Sequence, residues 1–173
     1  MVIMDFRDIK EFSIDAFKYF VMIVIIFLIV MYVVSVQQVV GPSMEPNYQS
    51  GDVMLLDKIK YRFFPIERFD VVTLVHEEKY LIKRVIGLPG ETIRYENNQL
   101  YIDGEVVEES FLGDVTTDDF DLSMIDEVVI GEDEYFVVGD NRTNSQDSRH
   151  FGLVSKKDIV GKVEFRIWPF RTS

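Results

Sequence analysis

The chain of 173 residues has no cysteine, only two histidines, and two long stretches without Lys or Arg. The absence of cysteine excludes disulfides and leaves His76, His150 and carboxylates as the available zinc ligands. We therefore predict that the protein does not use metal catalysis, and we expect no other cofactor. No basic stripe interleaved with aromatic residues is present, which argues against a nucleic-acid partner.

The first stretch without basic residues runs from residue 19 to 57, and its first 18 residues, 19–36, are uncharged. At about 1.5 Å per residue this run gives a helix of about 27 Å, close to the thickness of a bilayer. We predict a transmembrane anchor at 19–36; the alternatives are a buried core helix and a cleaved signal peptide. Basic residues at 7, 10 and 18 precede the run, so the positive-inside rule predicts a cytoplasmic tail at 1–18 and an extracytoplasmic domain at 37–173.

The second stretch accounts for the net charge of −12, because residues 103–134 hold 13 Asp and Glu and no Lys or Arg. Residues 108–133 lack a strong periodicity. We interpret them as an inserted lobe or loop whose charges face water. The alternative is an acidic surface that contacts basic substrate or envelope components.

Beyond residue 36 the pattern changes to short alternating runs of Val, Ile, Tyr and Phe, broken by Gly, Pro and Asn. This pattern predicts a mainly β, antiparallel domain. Asp103-Gly104 is typical of a two-residue hairpin, and Asn97-Asn98 predicts a turn before it. The predicted strands are residues 53–56, 70–75, 80–86, 92–95, 99–102, 105–107, 134–138 and 160–167.

Two residues stand out as candidates for chemistry. Ser43 lies in Gly41-Pro42-Ser43-Met44-Glu45-Pro46, within about 24 Å of the predicted bilayer boundary, although a serine in such a turn is usually structural. Lys83 lies in a predicted strand, on the same face as Leu81 and Val85. It is either an edge lysine that reaches water or a buried amine. In the second case burial lowers its pKa from about 10.4 toward neutrality, so that it takes the Ser43 proton.

A third candidate is the polar segment 139–149, which follows an apolar strand. We interpret it as a hydrogen-bonded scaffold in which Asp147 and Arg149 form a salt bridge and the Ser145 hydroxyl orients a lysine amine. The alternative is an exposed polar loop.

Taken in order, these features resemble the bacterial type I signal peptidases, the leader peptidase family of membrane-bound Ser/Lys proteases that remove signal peptides from exported proteins. The resemblance covers nearly the whole chain. The motifs that carry it are the anchor, Ser43-Met44-Glu45-Pro46, Gly51-Asp52-Val53, residues 83–91, Gly139-Asp140-Asn141-Arg142 and Ser148-Arg149.

The resemblance implies an antiparallel β catalytic domain of the signal-peptidase type after one transmembrane helix. It implies that Ser43 is the nucleophile of an acyl-enzyme and Lys83 the general base. The supporting residues that it implies are Ser145, Asp147, Arg149, Gly139, Asp140, Asn141 and Arg142. The Ser43 backbone amide is the expected oxyanion donor. Some family members add a serine hydroxyl at the position of Gly41, where this chain would need the Gly41 amide or a water.

The resemblance also implies precursors with small side chains, commonly Ala, at the first and third positions before the cut, bound as an extended peptide. The residues expected to bind them are Met44, Pro46 and Ile82. The expected partners are signal-peptide-bearing precursors and the lipid bilayer, and the expected location is the bacterial plasma membrane. Two other functions fit the sequence: a self-cleaving Ser/Lys regulator, such as the repressors of the SOS response, and a catalytically silent, anchored β module.

Overall fold

One long helix precedes two β-sheets in the computed structural model, which describes residues 6–169 and the side chains of residues 9–169. The first five residues of the predicted tail and the last four of the chain lie outside this range. The helices are α1 (Phe6–Val33), α2 (Lys60–Phe63) and α3 (Ser148–Phe151). The strands are β1 (Val34–Gln38), β2 (Val53–Asp57), β3 (Val71–His76), β4 (Lys79–Gly87), β5 (Ile93–Glu96), β6 (Gln99–Ile102), β7 (Glu105–Val107), β8 (Phe120–Asp121), β9 (Glu134–Val138), β10 (Val154–Ser155) and β11 (Ile159–Trp168).

Helix α1 contains a segment, Ile9–Val33, that is long and apolar enough to cross a membrane, and its side chains are exposed. The helix ends three residues before the predicted end of the anchor at residue 36. Residues 34–36 instead begin β1, whose backbone groups pair with β2 in antiparallel register. A run of uncharged residues does not distinguish a transmembrane helix from a strand, because β-branched Val34 and Val36 suit a strand as well as a lipid environment.

The larger sheet has seven strands in the order β1-β2-β11-β3-β4-β9-β10, and its recorded pairings are antiparallel. Strand β1 lies at one edge. Strand β4 pairs with β3 along residues 79–84, whereas β9 pairs only with its second half, from Arg84 to Gly87. In the first half of β4, the backbone groups on the side away from β3 therefore have no strand partner among the described residues.

The smaller sheet has four strands in the order β7-β6-β5-β8. Its two hairpin turns, Asn97-Asn98 and Asp103-Gly104, have positive φ at both central residues, as a type I′ turn requires. Both turns were predicted from the sequence. The acidic segment supplies β8 and several buried apolar side chains to this sheet, namely Leu112, Phe120, Leu122 and Ile130.

Three clusters of buried side chains hold the sheets together. The first lies between the small sheet and strands β4 and β9, around Tyr95, Phe120 and Phe136. The second surrounds Val72, Leu74 and Val137. The third contains Met44, Met54, Leu56 and Val163, and it lies beneath the turn that carries Ser43. Each fully buried large apolar side chain contributes about 1.5–3 kcal/mol relative to exposure.

The prediction of a mainly β, antiparallel fold after one apolar helix is confirmed. The eight predicted strands appear with ends that differ by no more than one residue. Strands β1, β8 and β10 were not predicted. The first was hidden in the apolar run, and the other two have two residues each, too few for an alternating pattern.

Candidate active site

Ser43 lies in the turn between β1 and β2 and is half-buried. Asn141 fixes this turn through two hydrogen bonds: its backbone amide donates to the Ser43 carbonyl oxygen (3.0 Å), and its side-chain amide donates to the Pro42 carbonyl oxygen (3.1 Å). The next residue, Met44, is fully buried in the third core cluster. Within the described part of the chain, the Ser43 backbone N–H has no acceptor.

Lys83 lies on β4 and is only 2% exposed. Its Nζ donates a hydrogen bond to Ser145 Oγ at 3.1 Å. Burial lowers the pKa of Lys83 to about 8, against the attraction of the nearby Asp147 carboxylate, which raises it. An amine with a pKa of about 8 is neutral in about one molecule in ten at pH 7, whereas at the ordinary pKa of about 10.4 it is neutral in fewer than about one in a thousand. Among the described residues, Lys83 has no hydrogen bond to the Ser43 hydroxyl.

Gly139 lies where the Ser43 turn and Ser145 meet. A Cβ at this position would overlap both the Ser145 hydroxyl and the Ser43 carbonyl oxygen. Only glycine therefore allows the two segments to approach so closely. Through this contact and the Lys83–Ser145 hydrogen bond, the fold brings Ser43, Ser145 and Lys83 into one site.

The end of the polar segment is fixed by a buried salt bridge. Arg149 donates to both carboxylate oxygens of Asp147, at 2.9 and 2.8 Å, and the Gly139 amide donates to the same carboxylate at 3.0 Å. Burial raises the pKa of Asp147, but these donors and the Ser145 hydroxyl outweigh that effect and hold the pKa below its usual range. The loop that carries Ser145 is therefore held by an ionised carboxylate.

A second buried pair joins β4 to the start of the same segment. Arg84, which follows Lys83, donates to Asp140 through Nε (2.8 Å) and Nη2 (2.6 Å). Asn47 donates to the same carboxylate at 2.8 Å and to the Phe111 carbonyl oxygen at 2.9 Å. The Arg84 guanidinium also lies 4.0 Å from the centre of the Phe111 ring. Bidentate pairs of this kind fix direction as well as distance.

A third pair connects the polar segment to the acidic segment. The Arg142 side chain is 1% exposed and forms hydrogen bonds with Glu109 at 2.5 and 3.1 Å. It also donates to the Thr117 hydroxyl (2.9 Å) and the Tyr95 hydroxyl (3.1 Å). Glu109 is an exception to the prediction that the charges of residues 108–133 face water, because its carboxylate is the partner that the buried Arg142 guanidinium requires.

A groove of about 250 Å³ opens beside Ser43, between β1 and the first half of β4. It is lined by residues 37–40, Ser43 and Met44 on one side and by residues 80–82 on the other. Of the predicted substrate-binding residues, Met44 and Ile82 line the groove, whereas Pro46 is exposed and does not. The Gly41 amide donates to the Ser50 hydroxyl (3.3 Å), so it already has an acceptor.

Sequence reasoning had given no role to Asn47, Arg84 or Glu109. Asn47 and Glu109 belong to no periodic pattern, and their partners are far away in the sequence. The position of Arg84 in the sequence could have indicated its buried ion pair. A second cation directly after Lys83, on the opposite face of the same strand, indicates that both faces are covered and that each charge has a partner.

We predict that Glu109→Gln destabilises the fold by about 3–5 kcal/mol, because it leaves the buried Arg142 without a counter-charge. Denaturant unfolding of the purified protein measures the loss. The matched control is Glu108→Gln, since Glu108 is exposed and lies next to Glu109. Equal stability of the two variants would contradict the structural role of the Arg142–Glu109 pair.

Comparisons with known proteins identify the family to which the chain is similar. The family model described as signal peptidase, peptidase S26, matches residues 13–168. Signal peptidase I of Bacillus caldolyticus is 40% identical over 167 residues, covering 88% of this chain and 90% of the relative. Signal peptidase I V of Bacillus subtilis is 46% identical over 136 residues, covering 73% and 81%.

A solved structure is similar in fold as well. The crystal structure of a signal peptidase I from Enterococcus faecalis is 35% identical and superposes with a TM-score of 0.55, covering 58% of this chain and 98% of that one. Together with the family match over residues 13–168, these relatives establish that the chain belongs to the signal peptidase family, peptidase family S26, and is a peptidase of the signal peptidase I type.

Proposed function

We propose that this protein removes N-terminal signal peptides from exported precursors by a Ser43/Lys83 dyad, through an acyl-enzyme. The observation that carries the proposal is the buried Lys83 amine, hydrogen-bonded to Ser145 and placed next to the Ser43 turn. A cationic lysine has no lone pair with which to accept a proton, whereas the lowered pKa makes the neutral amine available.

In the first half of the reaction, neutral Lys83 takes the proton of the Ser43 hydroxyl while Oγ attacks the carbonyl carbon of the scissile peptide bond. The Ser43 backbone N–H, which has no acceptor within the described residues, is free to stabilise the oxyanion. Lys83 then gives its proton to the leaving amine, and the mature protein departs. Nζ comes within hydrogen-bond distance of Oγ when the substrate binds, as catalytic hydrogen bonds often tighten only in the complex.

In the second half, Lys83 takes a proton from water, and the resulting hydroxide attacks the ester carbonyl of the acyl-enzyme. The bond from this carbon to Ser43 Oγ breaks, and Oγ recovers its proton from Lys83. Ser145 acts as a positioning residue: it accepts a hydrogen bond from Nζ and so directs the amine toward Ser43. The pairs Asp147–Arg149 and Arg84–Asp140 hold the loop that carries it.

The groove accommodates an extended peptide. Strand β1 is an edge strand, and the first half of β4 lacks a partner on its groove side, so a substrate strand can pair with both backbones. The groove walls include Met44 and Ile82, and the volume is small. These features favour small side chains before the cut, as in Ala-x-Ala.

We further propose a single-span arrangement in a bacterial plasma membrane, with a cytoplasmic tail at 1–18 and the catalytic domain at 37–173 outside. The basic residues before the anchor support this orientation. The Lys58 amide donates to the Val33 carbonyl oxygen (2.9 Å), which ties β2 to the end of the helix. The site is thereby kept close to the membrane from which a signal peptide emerges.

The dyad predicts that Ser43→Ala abolishes cleavage and that Lys83→Met lowers kcat by at least about 10²–10⁴-fold, because general-base catalysis is lost. The assay is processing of an Ala-x-Ala precursor by purified protein in detergent. Matched controls are Ser110→Ala and Lys79→Ala, both at exposed positions. Undiminished processing by either dyad variant would refute the dyad, and cleavage of the enzyme alone would favour a self-cleaving regulator.

The pH dependence follows from the state of Lys83. Because the neutral amine is the active form and its pKa is about 8, kcat/KM should rise with pH and level off above about pH 8. Below this value it should fall about tenfold per pH unit. Initial rates between pH 6 and pH 10 provide the test, and a flat profile across this range would be incompatible with a lysine base.

The orientation predicts that protease added outside intact cells digests the catalytic domain after the wall is removed, while a tag at the N-terminus stays protected. Immunoblotting of both ends measures this. A protected catalytic domain with a digested tag would reverse the proposed topology.

A further inference from the structure

One polar pair lies within the third core cluster, beneath the groove. The Thr73 hydroxyl donates to Gln37 Oε1 at 2.8 Å, and Thr73 is completely buried. Gln37 lies on β1 opposite Met54, and Thr73 lies on β3 opposite Ile82. Directly opposed residues in a sheet share a face, so both side chains lie on the face that carries this cluster. The hydrogen bond therefore crosses the curved sheet from its edge strand to its centre.

The hydrogen bond from Thr73 fixes the orientation of the Gln37 amide. A buried amide among apolar side chains is costly unless its polar atoms are bonded. Thr73 satisfies the oxygen, whereas Nε2, with two N–H donors, has no acceptor in the part of the chain that the structure describes. Gln37 is half-buried and lines the groove. The neighbouring Gln38 is different, because its Nε2 donates to the Gly51 carbonyl oxygen (3.4 Å).

The position of Gln37 along the groove indicates which substrate side chain it contacts. An extended peptide places alternate side chains on one face, about 6.8 Å apart, so the first and third residues before the cut point the same way. Met44 is adjacent to Ser43 and lines the groove, so we expect the first of these side chains beside it. Gln37 is six residues before Ser43, at the far end of the lining segment of β1. The third side chain of a peptide that runs from Met44 along this segment of β1 would therefore meet the Gln37 amide.

We propose that Gln37, held by Thr73, is a specificity-determining residue that selects a small hydroxyl side chain, Ser or Thr, at the third position before the cut. Gln37 Nε2 donates a hydrogen bond to the substrate hydroxyl oxygen. An apolar side chain of the same shape leaves this donor without an acceptor and is bound less well. The inference rests on the proposed function, since it assigns part of the substrate preference of that site.

The test uses three precursors that differ only at the third position before the cut, which is Ala, Thr or Val. Thr and Val have nearly the same shape, so the ratio of their kcat/KM values isolates the hydroxyl. For the wild-type enzyme we expect Thr to exceed Val by about 3- to 10-fold, the range of one net hydrogen bond. In Gln37→Leu the ratio should fall to one or below.

Two further variants sharpen the result. Thr73→Val keeps the buried volume but releases the Gln37 amide, so the Thr to Val ratio should fall toward one. The control Gln99→Leu changes an exposed glutamine on β6, which does not line the groove, and should keep the wild-type ratio. If Gln37→Leu does not fold, Thr73→Val decides the question.

The outcomes separate the two proposals. A wild-type enzyme that cuts the Ala precursor but cuts Thr and Val equally overturns the role of Gln37 and leaves the Ser43/Lys83 reaction intact. The same holds if Gln37→Leu and Thr73→Val keep the preference for Thr. Failure of the wild-type enzyme to cut any of the three precursors would instead overturn the proposed function.

Discussion

The removal of one amine from water is the constraint on which the site depends. Lys83 is 2% exposed, and burial is the main reason that its pKa falls to about 8. A pKa shift of this size means that the surroundings destabilise the charged amine relative to the neutral one by roughly 3 kcal/mol, at about 1.4 kcal/mol per pKa unit. The fold produces this destabilisation by covering the second half of β4 on both faces, with core clusters and with the polar segment 139–149. The hydrogen bond to Ser145 then fixes the orientation of the amine.

The polar segment could not cover Lys83 if it were mobile, and three ion pairs hold it. Each pair has an arginine or a carboxylate that is nearly or completely buried: Arg84–Asp140, Arg142–Glu109 and Asp147–Arg149. Pairs of this kind add little net stability over apolar residues of similar volume, but losing one partner is costly. Here they fix geometry. One pair attaches the segment to β4, one to the acidic segment, and one closes its far end around the Gly139 amide.

Much of this was readable from the sequence, for identifiable reasons. The alternating runs and the Asn97-Asn98 and Asp103-Gly104 turns are local signals, so the strands were predicted closely. Ser43 was singled out by its proline-flanked turn close to the anchor, and Lys83 because a lysine interrupts the apolar face of a strand. The partners of the buried charges were not predictable, since Glu109 reaches Arg142 and Asn47 reaches Asp140 only through the fold. The end of helix α1 at Val33 could not be predicted, because residues 34–36 are apolar in either a helix or a strand, and only pairing with β2 distinguishes the two.

The charge of the Lys83 side chain decides whether it can serve as a general base, and this charge can be measured without substrate. Nitrogen NMR of the detergent-solubilised protein with ¹⁵N-labelled lysine, assigned by comparison with Lys83→Met, follows the protonation of Nζ during a pH titration. We expect a midpoint near pH 8 for Lys83. A midpoint at or above about 10.4, the value of a lysine in water, would contradict it.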